Sequence, residues 1–454
     1  MIVVSHRGPV SFRRESDGSF TTRRGSGGVV SALAPLLRGR DNVRWIAAAI
    51  GEDDRAAVVS GAATDPGDAL ELLALDPEGH ARHYDVISNR VLWFCFHGLF
   101  GLAREPTFDR ELHEAWECYR SVNQSFATAV AEAAPEGDVV LVQDLQLLLV
   151  PGQLRALRPD LRISHFTHTP FCGPNSIRVL PDAMATEVCA SLGGTAAGFH
   201  TDRWATSYRA SASEVLGRDT TTHAFAATFG PAPDALAAAA ASDEVAAAAA
   251  ALNERVGDRQ CIVRCDRMEL SKNIVRGFHA YEELLRADAS WPGRVTFVAE
   301  LNPSRESLVE YREYRTEVET TAARINDEWA TNDWEPIILD TRDNFPQSVA
   351  ALQRADVLLV NPVRDGLNLV AMEGPLLGTR DPALCLSREA GAFDLLREHC
   401  LAVQPFDSTQ TANALATALT MEPAERATRA AGLRDAARAR PASAWLDALV
   451  NYAG

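Results

Sequence analysis

The sequence predicts an α/β protein made of two doubly wound, Rossmann-like domains. Three observations predict it. Short runs rich in β-branched residues alternate with helical stretches along the whole chain. Several of these runs are apolar on both faces, as strands of a parallel sheet covered by helices must be. The alternation also falls into two series, in a chain whose 454 residues exceed one ordinary core.

The first series of expected strands is 1–5, 43–49, 91–96, 138–144, 162–168 and 195–201. The second is 260–266, 294–300, 335–341, 356–362, 383–388 and 401–405. Between them a Gly-Pro-Ala-Pro turn begins at Gly230 and leads into Ala-rich sequence, whose helix propensity predicts helix after Pro233. Ile274, Val275, Phe278, Tyr281, Leu284 and Leu285 fall at helical spacing and predict an amphipathic crossover helix. The expected boundaries are 1–229 for an N-terminal domain and 230–440 for a C-terminal one. An amphipathic helix in 441–454 is expected to pack back across the join.

The charge balance, 44 basic against 61 acidic residues and a net charge of -17, argues against nucleic acid or an anionic membrane as main partner. The chain starts directly as a strand, without a basic leader, and no apolar run approaches the ~20 residues that span a bilayer. A cytoplasmic location is expected. The eight cysteines lie mostly inside apolar runs and form no CxxC pair, which favours buried thiols over a metal or disulfide framework.

In open parallel sheets ligands bind beyond the carboxyl ends of strands, so polar residues just after strands carry the functional argument. Arg7 follows the first strand, where a guanidinium can grip a phosphate in bidentate fashion. Gly27 and Gly28 open a helix and allow close backbone approach to a phosphate or sugar, although a flexible turn explains them equally. Asp144 ends a strand, where it is an acceptor for a substrate hydroxyl, a nucleophile or a helix N-cap. His165 and His168 stand near a strand end at a spacing that does not suit a metal. Arg267 and Lys272 follow the first strand of the second series and suit a diphosphate whose charge grows as it leaves; a solvated basic turn is the bland alternative. Arg305 adds a cation at another strand end. Asp365 and Gly366 occupy a strand-to-helix turn, and Glu373 lies two helical turns beyond Gly366, on the same face.

With these residues assembled, the chain resembles the trehalose-6-phosphate synthase family, retaining glycosyltransferases of the GT-B fold. The resemblance runs through "VVSHRG", "VQDLQL", "FTHTPF", "RMELSKN", "NPSRES", "ARIN", "VRDGLNLVAMEG" and "SREAGAF", in the family's order. It implies an active site in the cleft between the domains and glucose transfer from a nucleotide sugar to glucose 6-phosphate, giving α,α-trehalose 6-phosphate. It further implies that Arg7, Tyr84, Trp93 and Arg305 hold the acceptor phosphate and Asp144 meets an acceptor hydroxyl. Gly28 would touch the donor, Arg267 and Lys272 its diphosphate, His168 and Asp365 the transferred sugar, and Glu373 the ribose. Backbone amides of Gly366, Leu367, Asn368, Leu369 and Val370 would complete the donor cradle. The implied mechanism is front-face substitution without a metal or other cofactor.

The chain departs from the family pattern at Gln143-Asp144-Leu145-Gln146-Leu147 and at Arg267-Met268-Glu269-Leu270-Ser271-Lys272-Asn273. Asn361 stands where many members using uridine diphosphate glucose have Thr; an amide can read a guanine edge, so GDP-glucose is the expected donor. Two other readings compete. One is a pseudo-glycosyltransferase coupling a nucleotide-activated cyclitol to an aminocyclitol phosphate; the other is a non-catalytic regulator that binds sugar phosphate. A homo-oligomer is compatible with the sequence.

Overall fold

The computed structural model describes residues 1–24, 28–37, 42–63, 69–219 and 223–453. The chain divides into two compact units, Met1–Phe229 with Ala442–Gly454, and Gly230–Pro441.

In the first unit seven strands make one all-parallel sheet: β1 (Ile2–Val4), β4 (Arg44–Ala48), β5 (Ala69–Leu73), β6 (Val139–Gln143), β7 (Arg162–Thr167), β8 (Ala196–Phe199) and β9 (His223–Ala226). Their order is β5-β4-β1-β6-β7-β8-β9. The chain works outward from β1 to one edge, then returns to β6 and works to the other. The crevice at this reversal, between β1 and β6, is where an open α/β sheet binds ligands. Val3, Val4, Val140, Leu141 and Val142 are wholly buried, as two-sided helix cover requires. After β1 the chain makes an antiparallel hairpin, β2 (Val10–Arg14) with β3 (Phe20–Arg24).

One expected strand is not one. Residues 91–96 complete a π-helix, Arg82–Leu92, and enter an α-helix, Trp93–His97. Every side chain from Val91 to Phe96 is buried, so the run carries no periodicity by which a buried helix differs from a buried strand. Conversely β2, β3, β5 and β9 arise from segments without a clear strand pattern.

The second unit has a six-stranded all-parallel sheet: β10 (Gln260–Arg267), β11 (Val295–Asn302), β12 (Ile337–Asp340), β13 (Val357–Val360), β14 (Ala383–Ser387) and β15 (Leu401–Val403). The order β12-β11-β10-β13-β14-β15 puts its reversal between β10 and β13. The expected crossover helix is Ile274–Ala287, with Ile274, Phe278, Tyr281, Leu284 and Leu285 packed in the core. The Ala-rich stretch forms two helices, Pro233–Ala240 and Asp243–Val256, and the Ser242 side chain accepts the Val245 N–H to start the second. No single described helix is long and apolar enough to cross a membrane.

The last helix, Ala442–Tyr452, belongs to the first unit and packs on β6, β7 and the helix Gly28–Leu37. Trp445, Leu446 and Leu449 form its buried stripe. All eight cysteines are free thiols, and seven are buried.

Candidate active site

Both sheets place polar side chains at their reversals. At the end of β1, Ser5 Oγ donates to the Arg7 carbonyl at 2.6 Å and accepts from Trp45 Nε1 at 2.8 Å, which fixes the turn carrying the exposed Arg7. Tyr84, on the π-helix, lies flat on His6, with ring centroids 4.3 Å apart and planes 6° off parallel. Trp93, just past that helix, is buried and stacks on His97 at 4.1 Å. π-Helical turns are rare and concentrate at functional sites. Gly28 begins the helix Gly28–Leu37, while Gly27 lies outside the described residues.

Asp144, directly after β6, has φ 70° and ψ 175°, a region that costs a non-glycine residue of order 1–3 kcal/mol. Three bonds hold it there. Its N–H donates to the Phe166 carbonyl at 2.7 Å, its own carbonyl accepts from His165 Nε2 at 3.1 Å, and its Oδ1 accepts the His168 N–H at 3.1 Å. The side chain caps no helix, so the N-cap reading of this residue fails. Burial lowers His165 to about 4, and burial together with His165 lowers His168 to about 3, so both rings are neutral. A consistent set of tautomers links the neighbours. Thr228 Oγ1 donates to His200 Nδ1 (3.2 Å), His200 Nε2 to His168 Nδ1 (3.2 Å), and His168 Nε2 to Gln143 Oε1 (3.0 Å). Trp445 closes one side edge-on, 5.7 Å from the His168 ring.

In the second unit, Lys272 Nζ meets Asp365 Oδ2 at 2.6 Å, joining the turn after β10 to the turn after β13 across the reversal. Burial alone would lower the ammonium; Asp365, Asp266 and Glu269 outweigh it and raise its pKa, so Lys272 stays charged. Asp365 Oδ2 also accepts from Asn368 Nδ2 at 3.2 Å, and Asn368 adopts φ 74°. Leu367 N donates to Asp365 Oδ1 at 3.4 Å, and Gly391 N to the Asp365 carbonyl at 3.0 Å. Leu369 and Val370 begin the helix Val370–Leu377, whose first N–H groups have no partner within the helix. A Cβ on Gly391 would overlap the Gly366 carbonyl oxygen, so this close approach requires glycine.

Glu269 organises the cations. Its buried carboxylate sits 3.1 Å from Arg267 and 3.5 Å from Arg305 and accepts from Ser304 Oγ at 2.9 Å. Burial alone would raise it, but Arg267, Arg305 and Lys272 pull it down to about 2. Arg305 also donates to Tyr311 OH at 2.7 Å. Glu373 is raised to about 7 by burial.

One expectation changes. Asn361 is 1% exposed; its amide oxygen accepts from Arg264 at 3.2 Å and its amide nitrogen donates to the Asn273 carbonyl at 3.3 Å. It braces the β10 and β13 turns and does not present an amide to a base. The acceptor-phosphate set draws on both units, as expected of residues from both series: Arg7, Tyr84 and Trp93 are in the first, and Arg305 joins Arg267 on Glu269 in the second. Glu269, Gly391 and the His200–Thr228 pair escaped the sequence reading. Only Glu269 left a signal, as an acid between Arg267 and Lys272.

Two all-parallel doubly wound units with polar turns at their reversals have the architecture of the GT-B fold. The model of glycosyltransferase family 20 matches residues 1–453, and the chain belongs to that family. It is 33% identical over 445 residues to a UDP-forming α,α-trehalose-phosphate synthase of Schizosaccharomyces pombe, covering 94% of this chain and 85% of the relative. The crystal structure of a UDP-forming α,α-trehalose-phosphate synthase from Burkholderia vietnamiensis superimposes with a TM-score of 0.83 at 29% identity, covering 100% of this chain and 99% of that one. A validamine 7-phosphate valienyltransferase of Streptomyces hygroscopicus is 28% identical over 450 residues, covering 94% of this chain and 88% of the relative.

Proposed function

We propose that this glycosyltransferase makes α,α-trehalose 6-phosphate, with retention, from a nucleotide-glucose and glucose 6-phosphate. The observation that carries the reading is the Lys272–Asp365 pair at the second sheet's reversal, beside the Glu269 cluster. A half-buried cation suits a leaving diphosphate as its charge grows, and the carboxylate beside it can accept from sugar hydroxyls.

In this reading Arg267 and Lys272 hold the donor diphosphate, and Asp365 and His168 the glucose. The amides of 366–370 complete the cradle, Gly28 touches the donor, and Glu373 takes the ribose. Arg7, Tyr84, Trp93 and Arg305 bind the acceptor phosphate, and Asp144 orients the attacking hydroxyl. The acceptor oxygen bonds to the anomeric carbon on the face the diphosphate leaves. The carbon–phosphate-oxygen bond breaks, and the hydroxyl proton passes to the departing phosphate oxygen. Positioning and fixed charge do the work, without a metal in the chemical step. The neutral His168 ring, engaged at both nitrogens, suits a positioning role better than acid catalysis.

With the Asn361 amide engaged inside its unit, the argument for guanine loses its carrier, and the names of the relatives favour UDP-glucose. Cytoplasmic action suits phosphorylated substrates. The deciding experiment offers purified protein glucose 6-phosphate with UDP-, GDP- or ADP-glucose and measures nucleoside diphosphate release. Release with UDP-glucose supports the reading, and preference for GDP-glucose restores the guanine expectation. No release with any donor rejects glucosyl transfer.

A further inference from the structure

Three buried histidines, two of them next to Arg7 and Tyr84 in the sequence, converge without any role in the reading above. His6 follows β1, and His80 and His83 come from the helical segment 77–92. Each offers a ring nitrogen within 4.8 Å of the other two. We propose that His6, His80 and His83 form a binding site for one divalent transition-metal ion of the zinc class.

The geometry supports three ligands to one centre. The ring centroids form a triangle of 5.0, 5.8 and 5.9 Å, and the planes are tilted by only 28°, 35° and 18°. The point equidistant from the centroids lies about 3.2 Å from each. For a ring turned to aim a nitrogen, about 1.2 Å out from its centre, at that point, about 2 Å remains, the length of a zinc–histidine bond.

The hydrogen bonding agrees. His83 Nε2 is 2.8 Å from the Gln146 carbonyl, which makes that nitrogen the N–H donor. His83 Nδ1 is then a lone pair in a fully buried side chain, and it has no hydrogen-bond partner. A metal-binding histidine is characteristically oriented in this way, with one nitrogen donating to a carbonyl and the other presented to the ion. His6 Nε2 and His80 Nε2 already face each other at 2.8 Å. Metal replaces that bond and opens the pair by about half an ångström, since two tetrahedral ligands stand about 3.3 Å apart. Burial, mutual repulsion and Arg7 hold His6 neutral; burial and Arg55 do the same for His80 against Asp85; burial lowers His83 to about 3. Neutral imidazole is the form that ligates. Carbonyl-oriented imidazoles suit zinc better than magnesium or calcium, which prefer oxygen.

The test uses the untagged full chain, stripped with a chelator and re-equilibrated with zinc or cobalt(II). The expected result is one equivalent of zinc per chain by elemental analysis, a zinc-dependent rise in melting temperature, and intense visible d–d bands with cobalt. His80→Gln and His83→Gln should each weaken zinc binding about 100-fold or more, while His113→Gln, at an exposed position, should leave it unchanged. A wild-type chain that holds no zinc and gives only the weak spectrum of hydrated cobalt overturns the proposal, even where a variant fails to fold. So does equal zinc retention by His80→Gln and wild type. None of these readouts depends on transferase activity.

Discussion

Replacing Glu269 with Gln removes the one charge on which Arg267 and Arg305 converge, while keeping shape and hydrogen-bonding capacity. The Arg267, Arg305 and Lys272 charges hold the carboxyl at about 2, below its ordinary value of 4.5. A depressed acid contributes stability that is fully present above its unfolded pKa and is lost as pH falls through the folded one. The difference corresponds to about 3 kcal/mol at pH 7, within the range for breaking a buried ion pair. The same linkage removes about a quarter of that by roughly pH 4 and more than half by roughly pH 3. The assay is urea unfolding of wild type and Glu269→Gln at steps from neutral to acid pH, following the transition of the second unit. The gap should be widest at neutral pH and narrow on acidification. A variant within about 0.5 kcal/mol of wild type at pH 7 would refute the claim that this carboxylate is net stabilising.

Four further outcomes follow from the same unit. Glu373, raised to about 7, should ionise between roughly pH 6 and 8, so donor KM should fall over that range and Glu373→Gln should flatten the profile. A raised acid binds more protons folded than unfolded, so it costs stability as pH rises from about 4.5 to 7; Glu373→Gln should therefore be more stable than wild type at pH 8 and equal to it near pH 4 by thermal melting. Gly391→Ala should displace the 365–367 turn and weaken donor binding at least about tenfold, read by calorimetry with the nucleoside diphosphate; unchanged affinity would show the turn accommodates the methyl. Lys272→Ala and Arg267→Ala should each lower kcat about 100-fold or more, and near-normal turnover would remove them from the leaving-group role.

The sheets were largely legible because buried parallel strands write themselves as apolar runs, and eleven of the twelve expected strands coincide with β-strands. The exception, 91–96, is buried on every side, so sequence offered no period to separate helix from strand. Edge strands β5 and β9 and the hairpin after β1 carry weaker patterns. At the site, charged residues after strands were visible as letters, but their partners were not. Asn361 looked like a turn residue open to a ligand, and only the fold shows Arg264 and Asn273 occupying it. His6 and His80 lie 74 positions apart, a separation over which spacing says nothing about proximity.

The return of the last helix to the first unit bears on how the protein is made. Every residue of the second unit leaves the ribosome before Trp445 does, so the second unit can complete its core while the first still lacks a wall. Until that helix arrives, Phe166, Phe229 and the ring of His168 lack the indole they pack against. A chain truncated just before Ala442 should keep every strand of both sheets and still fail a conformational probe of His168.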